Sequence, residues 1–367
     1  MERPHVAILC SGVALGVYIP GLEIARGLRE FGIDARVHVL EAFQPEDIEA
    51  ALLRTREQHR NHFRAVQLSQ RLVRDISPSL DRAALARLAD AFDARGVSRI
   101  LALSGFWLPW AAAYGAHRPE CSIEALHIDS TISPSWRPYA NGDEMRRVAH
   151  RSMLDAATGR VSFRLRIGGL DPLPYAEREA AVLLHGGGWG VGTYAAALER
   201  ALSAGYRANI VRHVEAEMTP MEGVRNLLLD PQWRAWRDTG PEELGHFPPL
   251  GSIEADTGEI RFRQSEHYPD LFDITRNVLA VVSKPGGSTL IDSMAAATPL
   301  LFLSPSGKHE QANADVWIAR GYGDWFERWD AQGASRTALE EMHARLMRDR
   351  PGLPDYVRTL ATELGRG

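Results

Sequence analysis

The chain has 367 residues, of which 45% are hydrophobic and 24% charged, and its formal net charge is −5 at pH 7. This composition excludes a disordered or collagen-like chain, and two cysteines are too few for a disulfide scaffold. The acidic balance argues against a nucleic-acid-binding protein, and we expect none as a partner. The sequence shows neither an apolar run of roughly 18 residues nor the layout of a secretion signal, so we expect a cytoplasmic protein.

The first half of the chain alternates short apolar runs, typical of buried strands, with longer runs typical of helices. We predict strands at 5–10, 35–40, 100–104 and 123–128, and helices at 21–31, 45–74, 80–95 and 110–116. The second half restarts this alternation after a segment rich in turn formers. Its predicted strands are 181–184, 206–212, 279–283 and 300–303, and its predicted helices are 194–204, 289–297, 336–348 and 355–364.

This repeated alternation predicts an α/β chain with two doubly wound Rossmann-like domains that face each other across a cleft. We place the N-terminal domain at 1–167, a linker at 168–178 and the C-terminal domain at 179–345. We expect a last helix within 346–367 to pack back on the N-terminal domain. Ligands of such sheets bind beyond the carboxyl ends of the strands, so the cleft is the expected site for a small molecule.

The strongest local signal is a strand, turn and helix in which residues 283–289 read SKPGGST. Two adjacent glycines allow a backbone to approach a ligand closely, and the free N–H groups at the start of a helix favour a phosphate. Asp292, three residues after Thr289, is placed to accept hydrogen bonds from a ribose. An ordinary strand-to-helix turn with a capping box would use the same glycines.

The whole stretch resembles the donor-binding segment of GT-B glycosyltransferases, which are two-domain enzymes that use nucleotide sugars. The branch it resembles most contains the lipid II N-acetylglucosaminyltransferase and the monogalactosyldiacylglycerol synthases. The residues that carry this resemblance are the turn at 283–289, Asp292, Thr298-Pro299, Gln311 and Asn313-Ala314. The resemblance implies that the diphosphate of a UDP-sugar is held by Gly286, Gly287, Ser288 and Thr289. It implies that Asp292 binds the ribose, and it leaves Glu310 and Gln311 as alternative contacts to the sugar.

Two further features point to the donor site. Only two of the 42 basic residues are lysines, and both, Lys284 and Lys308, lie in this stretch, where a compact ammonium group suits a diphosphate. By the same resemblance, the glycine-rich turn at 185–192 faces the donor phosphates, which assigns Gly188 to the donor site and directs His185 into the cleft. The sequence has no Asp-x-Asp motif, so we expect neither a bridging metal nor a cofactor.

The loop at 11–22 resembles the acceptor-side loop of the same family, in which Gly-His-x-x-Pro often carries the general base. Gly16 and Pro20 match this pattern, but Val17 stands at the histidine position and cannot accept a proton. Three explanations stay open. Another group is the base, or the acceptor is an amine or a carboxylate that needs little help, or the protein is a non-catalytic partner of a transferase.

Several residues remain as candidates for the acceptor side. His127 and Asp129, at the end of a predicted strand, are the leading replacements for the missing base, and His185 and Glu23 are weaker ones. Besides Gly16 and Val17, we assign Trp107 and Trp136 to the acceptor pocket, because aromatic faces suit sugars and rings.

The segment Arg54–Arg74 carries six arginines against one acid, Glu57. This charge fits a solvated helix face, and it also fits contact with an acidic carrier protein or an anionic membrane surface.

Taken with the resemblance, these features predict a metal-independent, inverting glycosyltransferase that uses a nucleotide sugar. The donor expected first is a UDP-sugar. The acceptor is a small molecule, a lipid or a carrier-bound group. Two alternatives remain, a nucleotide-sugar 2-epimerase of the same fold and a non-catalytic auxiliary partner of a transferase.

Overall fold

The computed structural model describes residues 4–237, 244–254 and 257–365. The strands are β1 (His5–Cys10), β2 (Asp34–Val39), β3 (Val97–Ala102), β4 (Ser122–His127), β5 (Ala149–Ser152), β6 (Leu154–Asp155), β7 (Arg160–Val161), β8 (Glu179–His185), β9 (Arg207–Arg212), β10 (Val224–Leu229), β11 (Leu250–Ile253), β12 (Ile260–Arg263), β13 (Val278–Ser283), β14 (Leu300–Phe302) and β15 (Gly323–Trp325). The helices are α1 (Tyr18–Glu30), α2 (Glu46–Asn61), α3 (Phe63–Ser69), α4 (Arg82–Arg95), α5 (Leu108–His117), α6 (Asp143–Arg146), α7 (Tyr194–Ser203), α8 (Asp270–Asn277), α9 (Gly287–Ala296), α10 (Lys308–Ala319), α11 (Phe326–Ala331), α12 (Arg336–Asp349) and α13 (Tyr356–Glu363).

Two sheets organise these elements. The first sheet has the order β2-β1-β3-β4-β5 and is parallel throughout. The second sheet has the order β12-β11-β10-β9-β8-β13-β14-β15 and is parallel from β10 to β15. β11 and β12 extend it antiparallel at one edge, an addition that the sequence analysis did not predict.

The central strands are buried on both faces, which explains why they are continuous apolar runs rather than alternating ones. β1 reads HVAILC with its last five residues buried, and every residue of β13 is buried. Apolar side chains from both sheets, such as Ile8 and Val281, belong to one hydrophobic cluster. The two halves therefore pack against each other as well as around their own sheets.

The predicted helix at 45–74 is wrong as a single element, because the chain forms two helices that meet at His62. His62 has a non-helical conformation (φ −136°, ψ 86°) and ends α2. The break directs α3 towards the second sheet, where Gln67 and Gln70 donate hydrogen bonds to the Pro305 carbonyl (3.3 Å) and the Ser306 hydroxyl (2.8 Å). Because these bonds join residues that are distant in the sequence, no local sequence pattern predicts them.

The C-terminal segment returns to the first sheet. Val357 of α13 packs against Gly27 of α1, and the Tyr356 hydroxyl donates a 2.7 Å hydrogen bond to buried Glu124 on β4. Parts of the domain ranges expected from the sequence, namely residues 1–3, 238–243, 255–256 and 366–367, lie outside the described residues.

Candidate active site

A cavity of about 140 Å³ lies where the carboxyl ends of the two parallel sheets face each other. One wall is the turn at 284–289 with Asp292, and the opposite wall is the loop Ala14–Gly16 that follows β1. His185, the last residue of β8, and Gly188, in the turn that follows, also line this cavity. The structure thus brings together most residues that the sequence analysis assigned to the donor site, and we call this space the donor cavity.

The two glycines of the turn have different surroundings. A Cβ atom on Gly287 would lie 2.8 Å from Asp129 Oδ1 and 2.9 Å from the Ile128 carbonyl oxygen, so this glycine permits close contact with the end of β4. A Cβ atom on Gly286 would lie 3.6 Å or more from its neighbours, so the space beside it is open. Gly286 is also the N-cap of α9, which has no side-chain cap, and its position leaves the first helical N–H groups free to bind an anion.

Lys284 occupies a central position, because it lines both the donor cavity and a larger neighbouring cleft. Its Nζ lies 2.5 Å from Glu310 Oε1, and Glu310 Oε2 accepts a 2.6 Å hydrogen bond from the Ser306 N–H. Burial alone would raise the pKa of Glu310, but the charges of Lys284 and His309 hold it below its usual value. Glu310 is thereby fixed as a buried carboxylate, whereas Gln311 is exposed and bonds to Asp315.

His185 lies at the inner end of the donor cavity and is neutral at physiological pH. Burial, together with the positive charge of Lys284, lowers its pKa to about 4. Its Nδ1 accepts a 3.2 Å hydrogen bond from the Gly187 N–H, which leaves the proton on Nε2. A neutral imidazole with this tautomer can donate a hydrogen bond to a phosphate oxygen.

The loop opposite the turn is held in an unusual backbone conformation. Ala14 (φ 61°) and Leu15 (φ 63°) are consecutive non-glycine residues in the left-handed region. A Cβ atom on Gly188 would lie 2.5 Å from Leu15 Cγ, so a glycine there allows the two loops to touch. Backbone strain of this kind concentrates at ligand sites, because surrounding contacts must maintain it.

Asp292 lies at the edge of the donor cavity and close to Glu23 of α1. Burial raises its pKa to about 7. Glu23 is 6% exposed, both of its carboxylate oxygens are buried without a hydrogen-bond partner, and burial followed by the charge of Asp292 raises its pKa well above the usual range. The two carboxyl groups, one from each half of the protein, therefore disfavour each other's ionisation.

Asp129 is engaged in a contact between the two halves. Its Oδ1 accepts a 2.8 Å hydrogen bond from Asn313 Nδ2, and the same amide nitrogen also bonds to the Pro285 carbonyl at 3.0 Å. Asn313 Oδ1 in turn accepts the Ser130 N–H at 2.8 Å. The amide of Asn313 thus ties the end of β4 to the glycine turn, so Asp129 serves in this structure as part of that tie.

Three other residues that the sequence analysis singled out, His127, Trp107 and Trp136, are buried in the first half of the protein. The His127 ring lies between His150 (Nε2 to Nδ1, 3.0 Å) and Trp136 (ring centroids 4.7 Å apart), and burial lowers its pKa to about 4. Trp136 is 1% exposed and Trp107 is 0% exposed, with the Trp107 indole N–H bonded to the Cys10 carbonyl at 2.7 Å. The two tryptophans pack in the core beneath the first sheet and its loops, so they do not form an acceptor wall.

A larger cleft, of about 580 Å³, lies between the loop after β1 and the helices α2 and α3. Gly16 and Val17, which the sequence analysis assigned to the acceptor, line it, and Trp189 and Lys284 lie on the side of the second sheet. Its apolar wall consists of Ile48, Leu52, Val66, Val73, Ile76 and Phe106. We call this space the acceptor cleft.

Glu41 is a buried carboxylate on the acceptor cleft that sequence reasoning missed. It is 7% exposed, Oε1 accepts a 2.6 Å hydrogen bond from the Ser11 hydroxyl, and Oε2 accepts one of 2.7 Å from the Gly12 N–H. Burial raises its pKa, although both hydrogen bonds favour the charged form.

A common signal could have found the polar groups of this cleft. Ser11, Glu41 and Ser104 each stand at or just beyond the end of a predicted strand, as Asp129 does. All three line the cleft, and the Ser104 hydroxyl is buried without a partner.

The segment Arg54–Arg74 forms a cover over the acceptor cleft. His59, Val66 and Gln70 line the cleft, and Arg56 Nη2 lies 3.5 Å from His213 Nδ1 on the opposite half. The outer side exposes Leu68 (51%) and Leu72 (70%). Contact of this outer side with an acidic partner or a membrane surface stays a prediction.

Within the described ranges, no cluster of three or more histidine, cysteine or acidic side chains is arranged to hold a metal ion. Among the same residues, no helix has both the length and the apolar character needed to cross a bilayer.

Comparison with solved structures identifies the architecture. The glycosyltransferase SnogD from Streptomyces nogalater matches with a TM-score of 0.56 at 12% identity, over 100% of both chains. MurG from Acinetobacter baumannii matches with a TM-score of 0.54 at 12% identity, over 99% of both chains. SsfS6, a Streptomyces glycosyltransferase complexed with thymidine diphosphate, matches with a TM-score of 0.56 at 14% identity, over 97% of this chain and 99% of that one.

The chain has the GT-B fold. This bears out the fold predicted from the sequence, with two Rossmann-like halves that face each other across a cleft. At these identities the likeness shows the fold and does not select one branch of the GT-B proteins. No protein-family model and no curated protein sequence matches the chain.

Proposed function

We propose that the protein is a glycosyltransferase that moves a sugar from a nucleotide diphosphate sugar, in the first instance a UDP-sugar, to an acceptor in the neighbouring cleft. The observation that carries this proposal is the glycine turn at 284–289, whose open helix start faces a cavity at the carboxyl ends of both sheets. The matched structures give support, since they are described as glycosyltransferases and SsfS6 is complexed with thymidine diphosphate.

The described residues supply each element of a direct displacement. The helix start of α9 and the Nε2–H of His185 bind the diphosphate, and Ser288 and Thr289 add hydroxyl groups to this site. Asp292 accepts hydrogen bonds from the ribose. Lys284, where the donor cavity meets the acceptor cleft, balances the charge that develops on the departing nucleotide.

We further propose that Glu41 takes the role that Val17 cannot fill. An acceptor hydroxyl in the cleft attacks the anomeric carbon and forms a new C–O bond, while the bond from that carbon to the diphosphate breaks. The acceptor proton passes to the Glu41 carboxylate, directly or through the Ser11 hydroxyl, and the nucleotide diphosphate leaves. Attack opposite the leaving group gives inversion.

The first test is nucleotide binding by thermal shift at pH 8, with UDP, dTDP and GDP compared side by side. UDP at about 100 times its dissociation constant should add about 2.7 kcal/mol of stability. Asp292→Asn should raise about tenfold the UDP concentration that is needed for the same thermal shift, because it removes a charged hydrogen-bond acceptor. Asp90→Asn, an exposed change on α4, is the matched control and should leave the shift intact.

The other outcomes separate the alternatives. Stabilisation by dTDP instead of UDP would keep the mechanism and change the donor. An epimeric UDP-sugar formed without any acceptor would favour the epimerase. No shift with any of the three nucleotides would contradict the proposed function.

A further inference from the structure

A second cavity, of about 730 Å³, opens between α3 and the start of α10. We call it the basic groove. Arg71 and Arg137 contribute from the first half and Lys308 from the second, and no acidic side chain lines the groove. The Arg137 guanidinium donates a 2.9 Å hydrogen bond from Nη1 to the Gln70 carbonyl, which fixes its position at the rim.

The three cations of the basic groove have no carboxylate partner in the part of the chain that the structure describes. Other basic residues of the chain do: Lys284 pairs with Glu310, and Arg99 and Arg151 both pair with buried Glu124. The start of α10 adds the positive end of a 12-residue helix, whose N-cap Gly307 provides no side-chain cap. The groove therefore concentrates positive potential, and Glu310, the acidic residue in the first turn of α10, is paired with Lys284 rather than with a cation of the groove.

The basic groove adjoins the acceptor cleft. Gln70 and Ser306 line both spaces, and the 2.8 Å hydrogen bond between them lies where the two meet. The cleft offers apolar side chains such as Leu52 and Val66, whereas the groove offers cations. A ligand that occupies both must combine an apolar body with an anionic group.

The donor does not account for the groove. Its diphosphate is assigned to the helix start of α9, and none of the three cations lines the donor cavity. The only lysine on the donor cavity is Lys284, which is a different residue with its own carboxylate partner.

We propose that the acceptor carries an anionic group, a phosphate or a carboxylate, that binds in the basic groove to Arg71, Arg137 and Lys308 while its apolar body fills the acceptor cleft. This proposal rests on the proposed function, because it names the class of acceptor. Arginine and lysine bind both kinds of oxyanion through charge-assisted hydrogen bonds.

The test is isothermal titration of the full chain, saturated with UDP so that the donor cavity is filled. The probes are octyl phosphate, octanoate and 1-octanol, which share one apolar body. We expect at least one anionic probe to bind about tenfold or more tightly than the alcohol, the scale of one hydrogen bond to a charged group. The stronger of the two anions identifies the group that the groove prefers.

The variants Arg71→Ala and Lys308→Ala should each weaken the anionic probe about tenfold and leave the alcohol unchanged. Arg64→Ala is the matched control, because Arg64 is an exposed arginine on α3 that does not line the groove. UDP binding should be the same in all three variants, which also shows that they fold.

Three results would overturn the proposal. In the first, the anions bind no better than 1-octanol. In the second, Arg64→Ala weakens the binding of the anions as much as the groove variants do. In the third, Lys308→Ala weakens the binding of UDP-glucuronate but not that of UDP-glucose, which would assign the groove to the donor. If UDP itself does not bind, the proposed function fails, and the same titrations without UDP still decide whether the groove binds anions.

Discussion

Glu41 combines two properties that oppose each other. Its carboxylate is buried beside an apolar cleft, which favours the neutral acid, yet the Ser11 hydroxyl and the Gly12 N–H both donate to it, which favours the anion. The net effect is a raised pKa. A carboxylate with a raised pKa is a stronger base than an exposed one and remains anchored towards its substrate.

We expect Glu41→Gln to lower kcat about 100-fold, since a positioned base contributes about 10²–10⁴. The amide keeps an oxygen for the Gly12 N–H, so UDP binding and thermal stability should change little. The measurement is the rate at which UDP is formed from a UDP-sugar as a function of pH. It is made first with water as the only acceptor of the sugar and then with an added acceptor. The wild-type rate should rise with pH as Glu41 loses its proton. This rising limb of the pH–rate profile should disappear in Glu41→Gln. A variant that keeps the limb would exclude Glu41 as the base.

At the scale of elements, the strand β13 and the helix α9 meet in a turn whose two glycines serve different purposes. Gly287 has no room for a side chain because the end of β4 lies against it, whereas the space beside Gly286 opens towards the donor cavity. A pair of alanine substitutions at adjacent positions therefore separates contact between the halves from nucleotide binding.

Gly287→Ala should destabilise the protein by about 1–3 kcal/mol, the usual cost of inserting a methyl group into a packed contact. Gly286→Ala should leave the Tm within about 1 °C, which corresponds to about 1 kcal/mol or less in a protein of this size. It should weaken UDP binding because its methyl group narrows the approach to the helix start. Thermal unfolding with and without UDP measures both effects. Equal behaviour of the two variants would show that the glycines are interchangeable.

The buried parallel strands and the glycine turn at 283–289 could be predicted from the sequence because both are local. The apolar run 279–283 lies within β13, and the SKPGGST turn follows it directly. The break at His62, the antiparallel edge strands β11 and β12, and the burial of Trp107 and Trp136 depend on contacts between distant segments. The position of Glu41 directly after a predicted strand could have singled it out, but its bond to Ser11, 30 residues away, depends on such a contact.

At the scale of the whole molecule, the two halves meet through polar contacts as well as apolar ones. Asn313 connects three chain segments by bonding to Asp129, Ser130 and Pro285. Glu23 and Asp292 are close enough to oppose each other's ionisation, and no described cation forms an ion pair with either of them. We therefore expect the contact between the halves to depend on the protonation of this pair.

The sign of the pH effect follows from the direction of the two shifts. Both pKa values are raised in the folded state above their usual values of 4.5 and 3.8, so the folded protein binds more protons than the unfolded chain. The stabilisation that these protons provide is fully present below about pH 4. It is lost as the pH rises through the folded values, which for Asp292 is about 7.

We therefore expect Glu23→Gln to flatten the decline in stability between pH 5 and 9. The amide cannot ionise, so it removes one of the two opposed charges, and each unit of pKa shift removed corresponds to about 1.4 kcal/mol at the alkaline end. The measurement is chemical unfolding across this pH range, with Glu30→Gln, an exposed change on the same helix, as the control. The control should follow the wild-type curve. If Glu23→Gln is no more stable than the wild type at pH 9, the two carboxyl groups do not oppose each other, and the contact between the halves is independent of their protonation.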